Sequence, residues 1–425
     1  MESITVIGSG LTGCLTAYKI AKKYPKKKVY LIDASKKILG GFDSVNISGH
    51  RVNNGYHGID VDRNLDFFNF LNKKIKISFK LLKDNRKIIF NKLFLNDGTS
   101  LAEYPLKIKK LFKTKKIKNK NPLKILNKLP NLYKNTFSVV SKRYSGDIKN
   151  DIRFFVPWFL PKEFELISKD EGDIFRKNVR NEKIRSNIAY PKNDLFEIFT
   201  KYFQKKFKKI NNLKIILNTK ILISEGEIFF IKKNKKTILE SENIIFCSNI
   251  PFFLKKVMDM INDKQMNKKF LTLSLIKTKK FKHDFTESII ADKRNINFLR
   301  ISKKRQKSSN YFVLESIIKN PKDINRIINE KTIRSLFKSF NSEKNINLKL
   351  LGTKITRSIF FPNKLFLKKI SQKAKKEFKN FKNKNKNINF FTSFTFSPIN
   401  MSKSWNESEN FLNKINESIK NESSR

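Results

Sequence analysis

The chain has 425 residues, 39% of them hydrophobic, enough for one large core or two joined ones, and no apolar run reaches the roughly 18 residues of a membrane span. Two cysteines and three histidines leave no spacing that suggests a metal site, and Cys14 and Cys247 sit in apolar segments as core thiols of a reducing cytoplasm would. The net charge of +55 would ordinarily point to nucleic acid or an anionic membrane, but lysine supplies 77 of the 92 basic residues and is scattered from Lys19 to Lys420.

Abundant Lys, Asn, Ile and Phe (40 of the last) are what AT-rich codons produce, yet eight of the thirteen glycines fall within the first 58 residues. A cluster that runs against composition marks backbone positions that tolerate little else. Ser3-Ile4-Thr5-Val6-Ile7 predicts a short strand, too near the start to leave room for a signal peptide, and Gly8-Ser9-Gly10-Leu11-Thr12-Gly13 follows it. Cys14, Ala17, Ile20 and Ala21 then recur at helical spacing up to Tyr24-Pro25, where the helix must stop. Val29-Tyr30-Leu31-Ile32 reads as a second strand, closed by Asp33. In such a unit Gly8 makes the tight turn, Gly10 lets backbone amides approach a pyrophosphate, and Gly13 brings helix and strand together. The helix N-terminus favours the diphosphate. Asp33, twenty residues past Gly13, stands where a carboxylate accepts from a pair of ribose hydroxyls.

Seven residues after Asp33 come Gly40-Gly41, then Gly49 and Asn53-Asn54-Gly55-Tyr56-His57-Gly58. Together with the GxGxxGxxxA run through Ala17, these residues resemble the flavoprotein family of amine oxidases, protoporphyrinogen oxidases and UDP-galactopyranose mutases. The resemblance implies FAD, held by Gly8, Gly10, Gly13, Asp33, Gly40, Gly41 and Gly55, with His57 as the catalytic candidate beside the flavin. A loop histidine satisfied by backbone carbonyls is the alternative reading of His57. Asp33 replaces the family's usual Glu, and Phe42 stands where a basic residue often follows the paired glycines. No cysteine follows Cys247, which excludes flavin attachment through a C-terminal cysteine.

Ile88-Ile89-Phe90 followed by Tyr104-Pro105-Leu106 resembles a segment of members that act on sugar nucleotides, and the aromatic run Phe154-Phe155-Val156-Pro157-Trp158-Phe159-Leu160 reads as pocket lining or as core. Ala189-Tyr190-Pro191-Lys192-Asn193-Asp194-Leu195 is similar to the segment that opens a helix beside the cofactor, with Asn193 and Asp194 in place of glycines. Residues 215–221 read as a strand, a hairpin at Glu225-Gly226 and Phe229-Phe230-Ile231 follow, and residues 243–251 close the unit; the resemblance puts the backbone of Ile221 against the adenine. Residues 356–362 look like the lead into the last cofactor strand. Within 364–386, Leu367, Ile370, Ala374, Phe378 and Phe381 recur at steps of three and four, an amphipathic helix with lysines on its solvent side. Residues 389–394 stand at that last strand without its glycine and charged residue (Ser393 is there instead), and 401–415 stand as the final helix, its N-terminus toward the flavin.

The expected fold is α/β: a Rossmann-type FAD-binding domain (residues 1–64, 186–255 and 346–425) interleaved with a mixed α+β substrate domain (65–185 and 256–345). Three functions compete. The first is an FAD-dependent oxidoreductase passing a hydride from a small-molecule substrate to flavin N5, and the second a UDP-galactopyranose mutase-like enzyme acting on a nucleotide sugar. The third is a basic, non-catalytic binding protein on a decayed flavin scaffold. No specific nucleic-acid partner is expected; the basic surface allows peripheral membrane contact.

Overall fold

The run Ser3-Ile4-Thr5-Val6-Ile7 is apolar and β-branched on both faces, as a central parallel strand covered on two sides must be. The computed structural model describes residues 3–40, 44–53, 59–61, 65–82, 86–90, 93–97, 188–192, 195–224, 226–233, 235–247, 267–278, 287–290, 297–303, 311–338, 347–361, 364–386, 388–392 and 401–423. In chain order its strands are β1 (Ser3–Ile7), β2 (Lys28–Ile32), β3 (Ser44–Ile47), β4 (His50–Asn53), β5 (Ile59–Asp60), β6 (Phe79–Leu82), β7 (Arg86–Phe90), β8 (Leu93–Asp97), β9 (Ile188–Pro191) and β10 (Leu213–Ile216). They continue as β11 (Lys220–Ser224), β12 (Glu227–Lys232), β13 (Lys235–Ile238), β14 (Asn243–Phe246), β15 (Asn267–Thr278), β16 (Glu287–Ile290), β17 (Phe298–Lys303), β18 (Tyr311–Ile318), β19 (Leu348–Phe361) and β20 (Asn389–Thr392). The longer helices are α1 (Leu11–Lys23), α2 (Leu195–Phe207), α3 (Glu330–Lys338), α4 (Lys364–Lys384) and α5 (Met401–Ser423).

β1 lies at the centre of a parallel sheet in the order β10-β2-β1-β14-β20. Helices α1, α2 and α5 cover one face, where Cys14, Ala17 and Ile20 pack with Phe199, Phe203, Phe411 and Ile415. The antiparallel sheet β11-β12-β13 and helix α4 cover the other, through Ile221, Ile223, Ile228, Phe378 and Phe381. Each fully buried phenylalanine here contributes about 2–3 kcal/mol of transfer free energy.

Helices α1 and α5 run in the same direction. Lys19 Nζ lies 2.6 Å from both Ser408 Oγ and Glu409 Oε1 and 3.6 Å above the Trp405 ring, and further along both helices the Tyr24 hydroxyl bonds Asn416. Their N-termini therefore share the end at which β1 finishes. Burial pulls the Lys19 ammonium pKa down, and the bond to Glu409 opposes it. No helix among the described residues is long and apolar enough to cross a membrane.

A second, mixed sheet runs β19-β15-β18-β17-β16-β7-β8. Helix α3 covers one face through Ile333, Leu336 and Phe337 against Phe312 and Leu314; the β3–β4 hairpin covers part of the other through Ile47 and Val52 against Leu273, Leu275 and Val313. On that second face a bulge at Leu299 sets Arg300 opposite Glu315, and the two form an ion pair with about 5% of each side chain exposed.

The sequence expectation of one strand over residues 215–221 is corrected. Asn218 takes φ +54°, so the chain turns between β10 in the parallel sheet and β11 in the antiparallel one. Residues 356–361, expected to lead toward the cofactor strand, are the end of β19 and pair with β15 in the mixed sheet. The helices expected in 364–386 and 401–415 are α4 and α5, and β20 takes up the start of 389–394.

Candidate functional site

The loop between β1 and α1 is held from several directions. Gly8 takes φ +99°, a left-handed value that glycine adopts without strain, and its amide donates to the Ile32 carbonyl at 2.8 Å. A Cβ on Gly13 would stand 1.7 Å from the Gly8 carbonyl oxygen, with Cys247 Cβ at 3.4 Å behind it. Only hydrogen fits there, so α1 approaches β1 as closely as the sequence predicts. Gly10 is exposed, and a Cβ built on it would meet nothing within 4 Å. Its open side belongs to the N-terminus of α1, whose first amides have no partner within the helix.

Asp33 does two jobs. Its Oδ2 accepts the Ser9 amide of the glycine loop, while Oδ1 accepts the Ser35 amide at 2.7 Å and lies 2.6 Å from Ser35 Oγ. The carboxylate thus braces the loop and keeps an acceptor position on Oδ2 for a ribose hydroxyl. The Ser9 carbonyl accepts from Leu39, and Ser9 Oγ is buried with no hydrogen-bond partner among the described residues. The Thr219 amide donates to the Asp33 carbonyl at 2.9 Å, and Ile221 follows two residues after Thr219; its side chain is buried against the parallel sheet. Gly40 is exposed, and an added Cβ would touch Ser35 and the Lys37 carbonyl at ordinary distance, so no contact among the described residues demands glycine there. Gly41, Gly55 and His57 lie outside the described residues, as do Phe42, Ser393, Tyr104-Pro105-Leu106 and residues 154–160.

The structure therefore joins Gly8, Gly10, Gly13 and Asp33, with Ile221 nearby. Sequence reasoning missed Ser9 and Ser35, because a backbone amide and a common serine carry no motif. It also missed the Arg300–Glu315 pair, whose partners are brought together only by the bulge. Among the described residues no group of acidic residues, histidines and cysteines could hold a metal ion.

Neither cysteine is in a disulfide. Burial pushes the Cys14 thiol far above its usual range, while its Sγ donates to the Ser9 carbonyl at 3.2 Å. Burial likewise pushes Cys247 up to about 12, against the opposing contact with Thr16. Native protein at pH 8 should leave both thiols unreacted with an aromatic disulfide reagent, and denatured protein should titrate two. Both folded values are raised, so the thiols' contribution to stability is full below about pH 9 and is lost above it, for Cys247 as pH climbs through about 12 and for Cys14 at higher pH still. Prompt reaction of either native thiol would contradict this packing.

Residues 6–73 match the family model of the NAD(P)-binding Rossmann-like domain. No curated protein matches the sequence at significant similarity. Among solved structures, a protein assigned as a protoporphyrinogen oxidase from Exiguobacterium sp. 255-15 is 11% identical, covering 97% of this chain and 98% of that one with a TM-score of 0.55. Putrescine oxidase bound to putrescine is 9% identical, covering 97% and 99% with a TM-score of 0.57. Reduced UDP-galactopyranose mutase is 12% identical, covering 98% and 94% with a TM-score of 0.60. At these identities the likeness is one of fold. The parallel sheet, the glycine loop and the acid that follows β2 thus belong to a chain that shares the fold of these oxidases and this mutase and whose residues 6–73 form an NAD(P)-binding Rossmann-like domain.

Proposed function

We propose that the chain is an FAD-dependent oxidoreductase of the amine oxidase and protoporphyrinogen oxidase type. The observation that carries this reading is the open, dipole-facing turn at Gly10 beside an acid already aligned at Asp33. When bound, FAD supplies hydride acceptance at flavin N5. The chain's part is to bind and orient: the amides of residues 10–13 would take the pyrophosphate, those of Gly8 and Ser9 being used by Ile32 and Asp33, and Asp33 Oδ2 would take a ribose hydroxyl. The Ile221 backbone lies against the adenine, and the N-terminus of α5, parallel to α1, adds a second positive helix end. Gly40, Gly41, Gly55 and His57 are assigned to the flavin side of the same site, His57 as the candidate catalytic group. The cofactor domain is drawn from 1–64, 186–255 and 346–425 and the substrate domain from 65–185 and 256–345, with β19 crossing to the sheet of the latter.

A second reading, a mutase acting on a nucleotide sugar, is supported by the TM-score of 0.60 to UDP-galactopyranose mutase. Visible absorption of the purified protein, and chromatography of what heat releases, tests the cofactor. A colourless chain that also refuses added FAD would overturn both readings and leave the non-catalytic one. Anaerobic bleaching of the bound flavin by an amine or a porphyrin precursor favours the first. Turnover of a UDP-sugar only after reduction favours the second.

Two substitutions test cofactor binding, and the first separates it from folding. Gly10→Ala meets no protein atom, so it should keep the wild-type melting temperature while weakening FAD binding about tenfold or more, because its methyl group stands where the phosphates approach. Asp33→Asn should also weaken binding about tenfold, since the amide cannot accept at both Ser9 and Ser35 and still serve the ribose. Fluorescence titration with FAD reads both, and unchanged affinity in the two variants would remove the phosphate loop from the site.

A further inference from the structure

Two segments nearly 180 residues apart in sequence form one cationic pole. The stretch from the last turn of α1 into the start of β2 carries Lys22, Lys23, Lys26, Lys27 and Lys28, and the stretch from the last turn of α2 into β10 carries Lys205, Lys206, Lys208, Lys209 and Lys214. β2 and β10 are paired neighbours, with Val29 beside Leu213, so both turns stand at the N-terminal edge of the parallel sheet. Asn212 stitches them together: its Nδ2 lies 3.1 Å from the Ala21 carbonyl and 2.9 Å from those of Tyr24 and Lys27, and its carbonyl accepts the Val29 amide at 2.8 Å.

Eight of these ten lysines are exposed, the exceptions being Lys27 and Lys206, which are half-buried. Residues 15–32 and 198–214 contain no Asp or Glu. Helix α5 reaches the same end, as the Tyr24–Asn416 bond shows, and its Lys414 and Lys420 are balanced in number by Glu417 and Glu422, so the excess of positive charge comes from the other two segments. The C-termini of α1 and α2 also point here, but each offsets only about half a charge. Lysine at a helix end is a common way to satisfy that dipole; ten on two stitched turns go far beyond it.

We propose that this pole is a docking surface for an anionic lipid membrane. The lysines stand on helix ends, strand starts and the short connections between them, all at one end of a layered domain. Residues 15–32 and 198–214 contain no arginine, the residue whose planar fork suits phosphate recognition in nucleic acids. Lysines near an anionic bilayer each raise affinity about fivefold, an effect that salt screens. Docking in this orientation leaves the glycine loop, at the opposite edge of the sheet, turned toward solution. The inference is independent of which cofactor or reaction the chain has.

The test compares two variants of equal charge loss. K26Q/K28Q/K205Q/K208Q/K209Q empties the pole, and K375Q/K376Q/K379Q/K382Q/K386Q removes five exposed lysines from α4 and the turn after it. Both should melt as the wild type does, since all ten are exposed. Co-sedimentation with phosphatidylglycerol–phosphatidylcholine vesicles in 0.1 M salt should show wild-type binding, with none to phosphatidylcholine alone. The pole variant should lose at least tenfold and the α4 variant less than threefold. Equal losses in the two variants would mean that diffuse charge, not the pole, is responsible, and the proposal falls. It also falls if wild-type protein ignores the anionic vesicles, or if a single-stranded RNA oligonucleotide binds the pole more tightly than they do at the same salt.

Discussion

Gly13→Ala is expected to destabilise the protein by about 3 kcal/mol, the upper end of overpacking costs, and to abolish FAD binding. The new methyl group would stand 1.7 Å from the Gly8 carbonyl oxygen and 2.9 Å from its carbon, and neither atom belongs to a side chain that could swing away. The Gly8 amide is tied to Ile32, the Ile7 carbonyl to the Cys247 amide, and Cys14 to the Gly10 carbonyl. Relief requires α1 to lift from β1, which also dismantles the turn that would hold the pyrophosphate. Thermal unfolding and flavin content measure the two effects separately. A variant that melts like the wild type would show that the helix does not sit this close. Gly10→Ala is the control, because the same methyl group three residues earlier meets nothing.

Glu315→Gln is the second large effect, expected at about 3–5 kcal/mol. Arg300 and Glu315 lie across β17 and β18 on a face where Leu273 and Val313 also pack, and both side chains are about 5% exposed. Neutralising one partner leaves the other charge in a desolvated place, and the guanidinium cannot shed its proton. Replacing both, as in Arg300→Met with Glu315→Leu, should recover most of the loss, since an apolar pair of similar volume carries no desolvation cost. Chemical denaturation of the two variants decides: a single mutant within about 1 kcal/mol of wild type would show that water or another group reaches the pair.

The N-terminal unit was legible because its physics is local. Ser3–Ile7 forms the strand its short β-rich apolar run predicts, and α1 stops at Lys23, one residue short of Tyr24-Pro25. The glycine roles follow from spacing alone, since a tight turn, an open approach and a close helix crossing each need an absent side chain at a set offset. Residues 215–221 were misread for the opposite reason. Ile215-Ile216-Leu217 and Ile221-Leu222-Ile223 are both strand-like, and the left-handed turn at Asn218 that parts them leaves no trace in hydrophobic pattern. β19 was misplaced likewise: Thr356-Arg357-Ser358-Ile359 suits any strand, and only its pairing with β15 says which sheet it joins.

By itself, then, the sequence determined the parallel-sheet unit, its glycine loop and the acid that follows β2, because each rests on contacts between residues close in the chain. Tertiary structure alone decided that Asp33 also braces Ser9, that Arg300 meets Glu315 across a bulge, and that α5 lies parallel to α1. It alone brought the lysines of two distant turns to one pole around Asn212. These depend on which segments pack together, a matter set by burial summed over the whole core and carried by no short stretch of residues.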